Sequence, residues 1–333
     1  MSYRLSILDK SLIPEGANAA DALRNTLALA IRAEQLNYHR YWFAEHHGAA
    51  QLASSAPEVL AAYVLARTQR IRVGSGGVML RHYAPYKVAE TFNLLSALAP
   101  GRVDLGVGKA PGGLPPSTRA LQSGRAGART PSFDAQLAEL DGFLSGTLPA
   151  DHPLADAVVT PQPPSGPQRI LLGASVESAE LAARLDWQFC YAGHFDGDPN
   201  HVARAFDAYR HASARTPLLA VVAFAAETRE AAEQQVGALR IYKVRLDNGQ
   251  SVNLPSLAAA EEYARQSGGA HYTVEETRPS VLSGTGEQVR DQLDQLQRRF
   301  GVEEFVIDAP VTDFAARLKS LELLPGADKA AAA

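Results

Sequence analysis

Two spacings of apolar residue alternate along this chain. Eight short runs rich in β-branched and aromatic residues read as strands: Tyr3 to Asp9, Tyr38 to Ala44, Ile71 to Met79, Arg102 to Val107, Arg169 to Gly173, Gln188 to Ala192, Leu218 to Ala225 and Glu303 to Asp308. Between them lie stretches of helical period: Ala20 to Leu36, Pro57 to Thr68, Pro85 to Leu98, Phe133 to Leu144, Ser178 to Leu185, Asn200 to Ala214, Glu227 to Val244 and Glu287 to Phe300. Several carry start signals. Ser55 with Glu58 makes a capping-box pattern, and Thr285 stands before Glu287 and Gln288. Strand and helix in alternation predict a parallel sheet, and eight such units are the count of an α/β fold, a single (β/α)8 TIM barrel.

Two connections are longer than this repeat needs. Ala110 to Ser132 is rich in Pro, Gly and Arg; the second runs from about Asp247 to Ser283, with a helical stretch near Ala258 to Gln266. Active sites of barrels lie among the loops after the strands, so both are expected as long insertions at the C-terminal face, at least one acting as a lid. A doubly wound sheet is the competing architecture, but Lys10-Ser11-Leu12-Ile13 follows the first strand where a dinucleotide fold needs glycines. Pro111 occupies the third glycine position of the later Gly106, Gly108 cluster, and alanine follows Lys109 where a P-loop needs Ser or Thr.

The 333 residues, 46% hydrophobic and 20% charged, suffice for one large barrel domain over 1–327, with an Ala-rich tail at 328–333 expected to be disordered. A net charge of −4, with acids and bases dispersed, leaves no basic stripe for nucleic acid. Cys190 is the lone cysteine, which excludes an intramolecular disulfide and fits a reducing compartment. The N-terminal apolar stretch is interrupted by Arg4 and Asp9, too polar for a secretion signal or a membrane span, so a cytoplasmic location is expected.

Four places carry candidate chemistry. In Tyr41-Trp42-Phe43-Ala44-Glu45-His46-His47-Gly48 an apolar strand runs into a carboxylate and two imidazoles. Neighbouring side chains of an extended segment point oppositely and chelate one ion poorly, so no metal site is expected; acid/base work by one histidine competes with simple hydrogen bonding at a strand end. In Val73-Gly74-Ser75-Gly76-Gly77-Val78-Met79-Leu80, three glycines inside a strand mark either close approach of a flat ligand or loose packing, with His82 just beyond. In Leu171-Leu172-Gly173-Ala174-Ser175-Val176-Glu177-Ser178 a strand opens into a helix whose free N–H groups, with Ser175 and Ser178, suit a phosphate; ordinary capping explains the same residues. Lys109 follows the fourth strand as a cation for phosphate or ring, or as a plain surface lysine.

Taken in order, SILD, YWFAEHHG, RIRVGSGGVMLRHYAPYKVAE, GRVDLGVGKAPGG, ILLGASVESAELAARL and LSGTGEQVRDQL resemble the flavin-dependent luciferase-like monooxygenase family, over about Leu5 to Leu324. The resemblance implies reduced FMN bound at the C-terminal face of the barrel and reaction with O2 through a flavin C4a-hydroperoxide, oxidising a small organic substrate. It implies a cis peptide at Gly76-Gly77 under the flavin, His46 as the catalytic histidine, and Ser175 and Ser178 as the phosphate turn. Lys109 stands where the family commonly has arginine, exchanging a bidentate grip for a point charge. With no second nucleotide motif in the chain, a separate NAD(P)H-dependent reductase is the expected FMNH2 donor, and the family expectation is a homodimer. The competing readings are F420-dependent hydride transfer on the same barrel, a barrel lyase or isomerase acting on a phosphorylated metabolite, and a flavin-binding protein without turnover.

Overall fold

The computed structural model describes residues 3–125, 131–194, 197–247, 251–254, 256–267 and 271–325; the expected tail at 328–333 lies outside the described residues. Twelve strands occur among them: β1 (Arg4–Asp9), β2 (Arg40–Phe43), β3 (Arg72–Met79), β4 (Val103–Gly108), β5 (Gln168–Gly173), β6 (Gln188–Ala192), β7 (Leu218–Ala226), β8 (Ile241–Leu246), β9 (Ser251–Leu254), β10 (Tyr272–Thr277), β11 (Val281–Thr285) and β12 (Glu304–Asp308). The α-helices are α1 (Ala19–Gln35), α2 (Pro57–Leu65), α3 (Pro85–Leu98), α4 (Pro115–Leu121), α5 (Phe133–Ser145), α6 (Val176–Arg184), α7 (Pro199–Ala212), α8 (Arg229–Val236), α9 (Leu257–Gln266), α10 (Gly286–Phe300) and α11 (Phe314–Leu323).

Strands β1 to β7 and β12 pair in parallel in the order β7-β12-β1-β2-β3-β4-β5-β6, and β6 returns to β7, closing an eight-stranded barrel. These are the eight strands expected from the sequence. The upper half of β7 also carries β11 in parallel, from Val281 beside Val222 to Thr285 beside Ala226.

Strand alternation sorts the barrel wall with unusual regularity. Leu8, Trp42, Ile170, Cys190, Ala220 and Val306, all even-numbered, pack inside the barrel, while odd-numbered Ile7, Tyr41, Phe43, Leu105, Phe189 and Ile307 pack outward in the cluster shared with the helices. The register of β3 shifts between Ser75 and Val78, and beyond that bulge the even-numbered Val78 joins the outward cluster.

Below the apolar interior layer, toward the strands' N-terminal ends, the same even positions form a polar plug. Arg40 Nε donates to Glu304 Oε1 at 2.6 Å and Arg40 Nη1 to Asp104 Oδ2 at 2.9 Å; Trp42 Nε1 reaches the same oxygen at 2.9 Å and Arg72 Nη2 grips Asp104 Oδ1 at 2.6 Å. Burial raises the Asp104 carboxyl, yet Arg40 and Arg72 hold it below the ordinary range. Each charge in this plug has a partner, the condition under which buried ions are tolerated.

Three details differ from the sequence expectations. Helix α2 starts with Ala56 as N-cap, without a side-chain cap, and Pro57 at N1, so Ser55 falls one residue too early for the expected capping box. Thr285, by contrast, makes its box with Gln288. The helix expected over 227–244 ends at Val236, with Gly237 as C-cap. Ile241 to Leu246 then alternates as β8 and pairs antiparallel with β10 and β9. The 247–283 segment therefore contributes β9, α9 and β10, and its two strands join β8 in a three-stranded sheet; Tyr263, Val244 and Leu246 form a small core there, joined by Leu114 at the start of α4. The two long insertions thus pack against each other.

Candidate active site

Four strand ends deliver titratable side chains to the mouth of the barrel, at its C-terminal end. Lys10 lies two residues beyond Leu8, His46 four beyond Trp42, His194 four beyond Cys190 and Asp308 two beyond Val306, so all four continue interior columns of the wall. Lys10 Nζ donates to Asp308 Oδ2 at 2.5 Å. Burial raises the Asp308 carboxyl, but Lys10 and His194 hold it below its usual range. His46 is pushed down to about 4, first by burial and then by the Lys10 charge, and His194 likewise to about 4. Both imidazoles are therefore neutral at pH 7. His46 Nδ1 is buried without a hydrogen-bond partner among the described residues, a nitrogen left available in the mouth.

The expected site residues divide between this cluster and the β3 to β5 side of the mouth. The Gly76-Gly77 peptide bond is cis, as the resemblance implies. A Cβ at Gly76 would stand 2.7 Å from Leu8 Cδ1, and one at Gly77 would stand 2.7 Å from the Gly106 carbonyl oxygen and 2.8 Å from Leu172 Cδ1. Neither position has room for a side chain, so bare backbone faces whatever lies above it.

Ser175 caps α6: its Oγ accepts from Ser178 N at 3.2 Å and lies 3.2 Å from Ser178 Oγ. Two hydroxyls and the open N–H groups of a nine-residue helix meet at the end of β5. A Cβ on Gly173 would stand 2.5 Å from Ser178 Cβ, so glycine there lets the serine approach the strand. Lys109 is exposed, and its charge helps hold Glu177, in the first turn of α6, below its ordinary range, after the carboxylate's hydrogen bonds to its own backbone and to Ser175. Lys109 and the Ser175 turn thus share one side of the mouth.

Glu45, His47 and His82 leave the barrel axis. Glu45 Oε1 accepts from Tyr83 OH at 2.8 Å and pairs with His47 Nε2 at 2.7 Å, while Glu45 Oε2 accepts from Met79 N at 3.1 Å. His82 Nε2 lies 2.7 Å from the Pro111 carbonyl. Gly112 and Gly113 serve backbone contact: His47 N donates to the Gly112 carbonyl at 2.7 Å, and a Cβ on Gly113 would stand 2.4 Å from the His47 carbonyl oxygen. This network fixes the loop after β2, and with it the aim of His46. Lys10, His194 and Asp308 were not among the candidates drawn from the sequence; their place at the end of each interior column was the available signal.

These residues fit a phosphorylated flavin. Glycine backbone without room for side chains suits a flat ring, hydroxyls with a helix N-terminus and Lys109 suit a phosphate, and an unpartnered imidazole nitrogen faces the same mouth.

Comparison with known proteins gives the family and the fold. The profile of the family described as luciferase-like monooxygenase matches residues 4–304. The N-acetyl-S-alkylcysteine monooxygenase of Bacillus subtilis (strain 168) is 44% identical over 334 residues, covering 98% of this chain and 99% of that protein. Among solved structures, apo-MsnO8 has a TM-score of 0.74 at 32% identity, with 97% of both chains covered. Two more distant proteins share the fold. The oxygenating constituent of 3,6-diketocamphane monooxygenase from Pseudomonas putida, in complex with FMN, has a TM-score of 0.70 at 16% identity, with 98% of each chain covered. An F420-dependent secondary alcohol dehydrogenase in complex with an F420-acetone adduct has a TM-score of 0.67 at 15%, covering 98% of this chain and 99% of that one. With the family profile running from the first barrel strand to the last, and a relative 44% identical from end to end, this chain belongs to the luciferase-like monooxygenase family.

Proposed function

We propose that this protein is an FMN-dependent monooxygenase that oxidises a small thioether carrying an N-acylated amino-acid group, with reduced FMN delivered by a separate NAD(P)H-dependent reductase. The observation that carries the reading is the neutral His46 with its buried, unpartnered Nδ1, at the mouth that also holds the Gly76-Gly77 backbone and the Ser175 turn. The substrate class is supported by the B. subtilis relative that acts on N-acetyl-S-alkylcysteine.

Reduced FMN would supply the activation of O2. Gly76 and Gly77 would support its ring, while Ser175, Ser178 and Lys109 would hold its phosphate. His46 takes or gives a proton at Nδ1, and its neutrality at pH 7 leaves that nitrogen able to accept one. The joined insertions, with Leu114 packed into the small core under α9, would limit water at the mouth.

A homodimer in the cytoplasm belongs to the same reading. Val59 and Tyr63 on α2 and Leu94 and Leu98 on α3 are 62%, 49%, 51% and 70% exposed, an apolar patch suited to self-association. The lone Cys190, buried and with its thiol pKa pushed up by burial, fits a reducing compartment. No helix among the described residues is long and apolar enough to cross a membrane.

The test is reconstitution with FMN, a flavin reductase, NADH, O2 and N-acetyl-S-methylcysteine, with products read by mass spectrometry. A product containing one oxygen atom from 18O2, formed about 10²-fold more slowly by His46→Asn, is the expected result. Binding of F420 in place of FMN, with hydride transfer and no oxygen uptake, would move the reading to the deazaflavin alternative.

A further inference from the structure

The ring order β7-β12-β1-β2-β3-β4-β5-β6 divides the mouth into two sectors. Strands β3, β4 and β5 carry the bare glycine backbone, Lys109 and the Ser175 turn. Strands β12, β1 and β2, with His194 reaching across from the end of β6, carry the titratable cluster. Nothing in the proposed flavin site uses Lys10, Asp308 or His194.

Exposure within the ion pair is unequal. The Asp308 side chain is 4% exposed and turned to Lys10, whereas the Lys10 side chain is 27% exposed. An entering ligand therefore meets the ammonium and not the carboxylate. Of the three N–H donors of Lys10, Asp308 takes one, and its neighbours His46 and His194 are neutral rings that donate or accept. A half-buried ammonium between imidazoles, floored by the apolar layer of Leu8, Trp42 and Val306, suits a small molecule with an anionic group at one end and an apolar remainder.

We propose that Lys10, clamped by Asp308 and flanked by His194, is the specificity-determining anchor for the carboxylate of the organic substrate, on the side of the mouth opposite the flavin phosphate. The assignment rests on the proposed monooxygenase reading for the identity of the substrate, an N-acyl-S-alkyl amino acid whose free carboxylate Lys10 would pair. The carboxylate and the thioether sulfur then lie at opposite ends of the bound molecule, with the charge fixed over β1 and β12.

The test is calorimetric titration of the FMN-loaded protein with N-acetyl-S-methylcysteine and, separately, with its methyl ester. Wild type should bind the acid at least tenfold more tightly than the ester. Lys10→Met should bind both with the ester's affinity, and Lys10→Arg should keep the preference. If Lys10→Met fails to fold because Asp308 is left alone, the double variant Lys10→Met/Asp308→Asn removes both charges together and must also lose the preference. Equal affinities in wild type, a preference that survives in these variants, failure of both ligands to bind, or a Lys10 effect confined to FMN affinity would each overturn the proposal. Turnover separates it from the function on which it rests. An enzyme that oxidises acid and ester alike retains the monooxygenase reading and loses the anchor; a protein that binds the acid through Lys10 without oxidising it does the reverse.

Discussion

His46 and His47 are consecutive, yet their rings lie in different environments. His46 shares the barrel axis with Lys10, Asp308 and His194, while His47 pairs with Glu45 at 2.7 Å and packs edge-on against His82, with ring centroids 5.9 Å apart. The alternation of an extended chain separates them, so one imidazole lies in the mouth and the other braces its loop.

Replacing His46 should accordingly cost rate and little else. We expect His46→Asn to lower kcat by about 10²-fold or more, the usual contribution of a positioned acid/base group, with FMN affinity unchanged. His47→Asn should instead lower thermal stability, through loss of the Glu45 contact, with a smaller loss of rate. Steady-state kinetics beside flavin-fluorescence titration separates the two, and equal rate losses in both variants would contradict the assignment.

The barrel and its interior columns were open to reading because they rest on local rules. A strand facing helices outside and packed side chains inside shows apolar residues on both sides of its alternation, and six of the eight runs display this; in β3 and β4 the inward positions are glycine or charged. His46, the glycines and the Ser175 turn stood out because polar or glycine residues interrupt such runs at their C-terminal ends. Lys10, Asp308 and His194 were harder to see. Each is an ordinary residue type in its own segment, and they become a cluster only when barrel closure sets the ends of β1, β12 and β6 beside His46. The sheet of β8, β9 and β10 was missed for a related reason. Ile241 to Leu246 alternates correctly, but it follows a helix and pairs antiparallel with a segment some thirty residues later, so helical continuation looked equally good.

The phosphate turn should discriminate between flavins. Ser175→Ala removes a hydroxyl at the α6 N-terminus, and we expect about tenfold weaker FMN binding, near 1.4 kcal/mol, with riboflavin affinity unchanged. The substitution also removes a helix cap worth about 1 kcal/mol. Ser178→Ala, which spares the cap, should show the same selectivity more weakly. If either variant binds riboflavin and FMN with proportional losses, the phosphate does not lie at this turn.

Stability should fall as pH drops from about 6.5 to about 4. His39, His46 and His194 are each held down to about 4, chiefly by burial, whereas an unfolded histidine titrates near 6.5. Between those values the unfolded chain binds more protons than the native one, so acidification favours unfolding. Asp9, Asp104 and Asp308, whose pKa values are lowered in the fold, add a loss of the same sign at still lower pH. Urea midpoints at pH 7, 5.5 and 4.5 should decrease in that order. His39 sits at the barrel's N-terminal end, away from the mouth, and His39→Asn should flatten the decline without touching turnover; a decline as steep as wild type would rule out its part.

The polar plug should fail locally, where a buried carboxylate loses its guanidinium. Arg40 joins Glu304 and Asp104 from inside the barrel, and Arg40→Met leaves Glu304, 1% exposed, with no guanidinium at hydrogen-bond distance. Breaking one partner of a buried pair costs about 3–5 kcal/mol. Asp104 keeps Arg72, so the damage should centre on Glu304, and adding Glu304→Gln to Arg40→Met should recover part of the loss. Chemical denaturation of the two variants measures this; a double variant less stable than the single one would mean that the plug is not held by this pair.

The apolar patch on α2 and α3 leads to a prediction about assembly. Val59 and Tyr63 are four residues apart on α2, and Leu94 and Leu98 four apart on α3, so each pair forms a stripe along one helix face. The two helices pack against each other. A twofold contact would take four such side chains of each copy out of water, a favourable contribution to association. Leu94→Glu with Leu98→Glu places two like charges in that contact and four across its twofold axis, at surface positions where the folded monomer loses little. Light scattering on a size-exclusion column should give twice the chain mass for wild type and the single mass for the variant, with circular dichroism unchanged. A wild-type monomer, or a variant that remains dimeric, would assign these stripes no part in assembly.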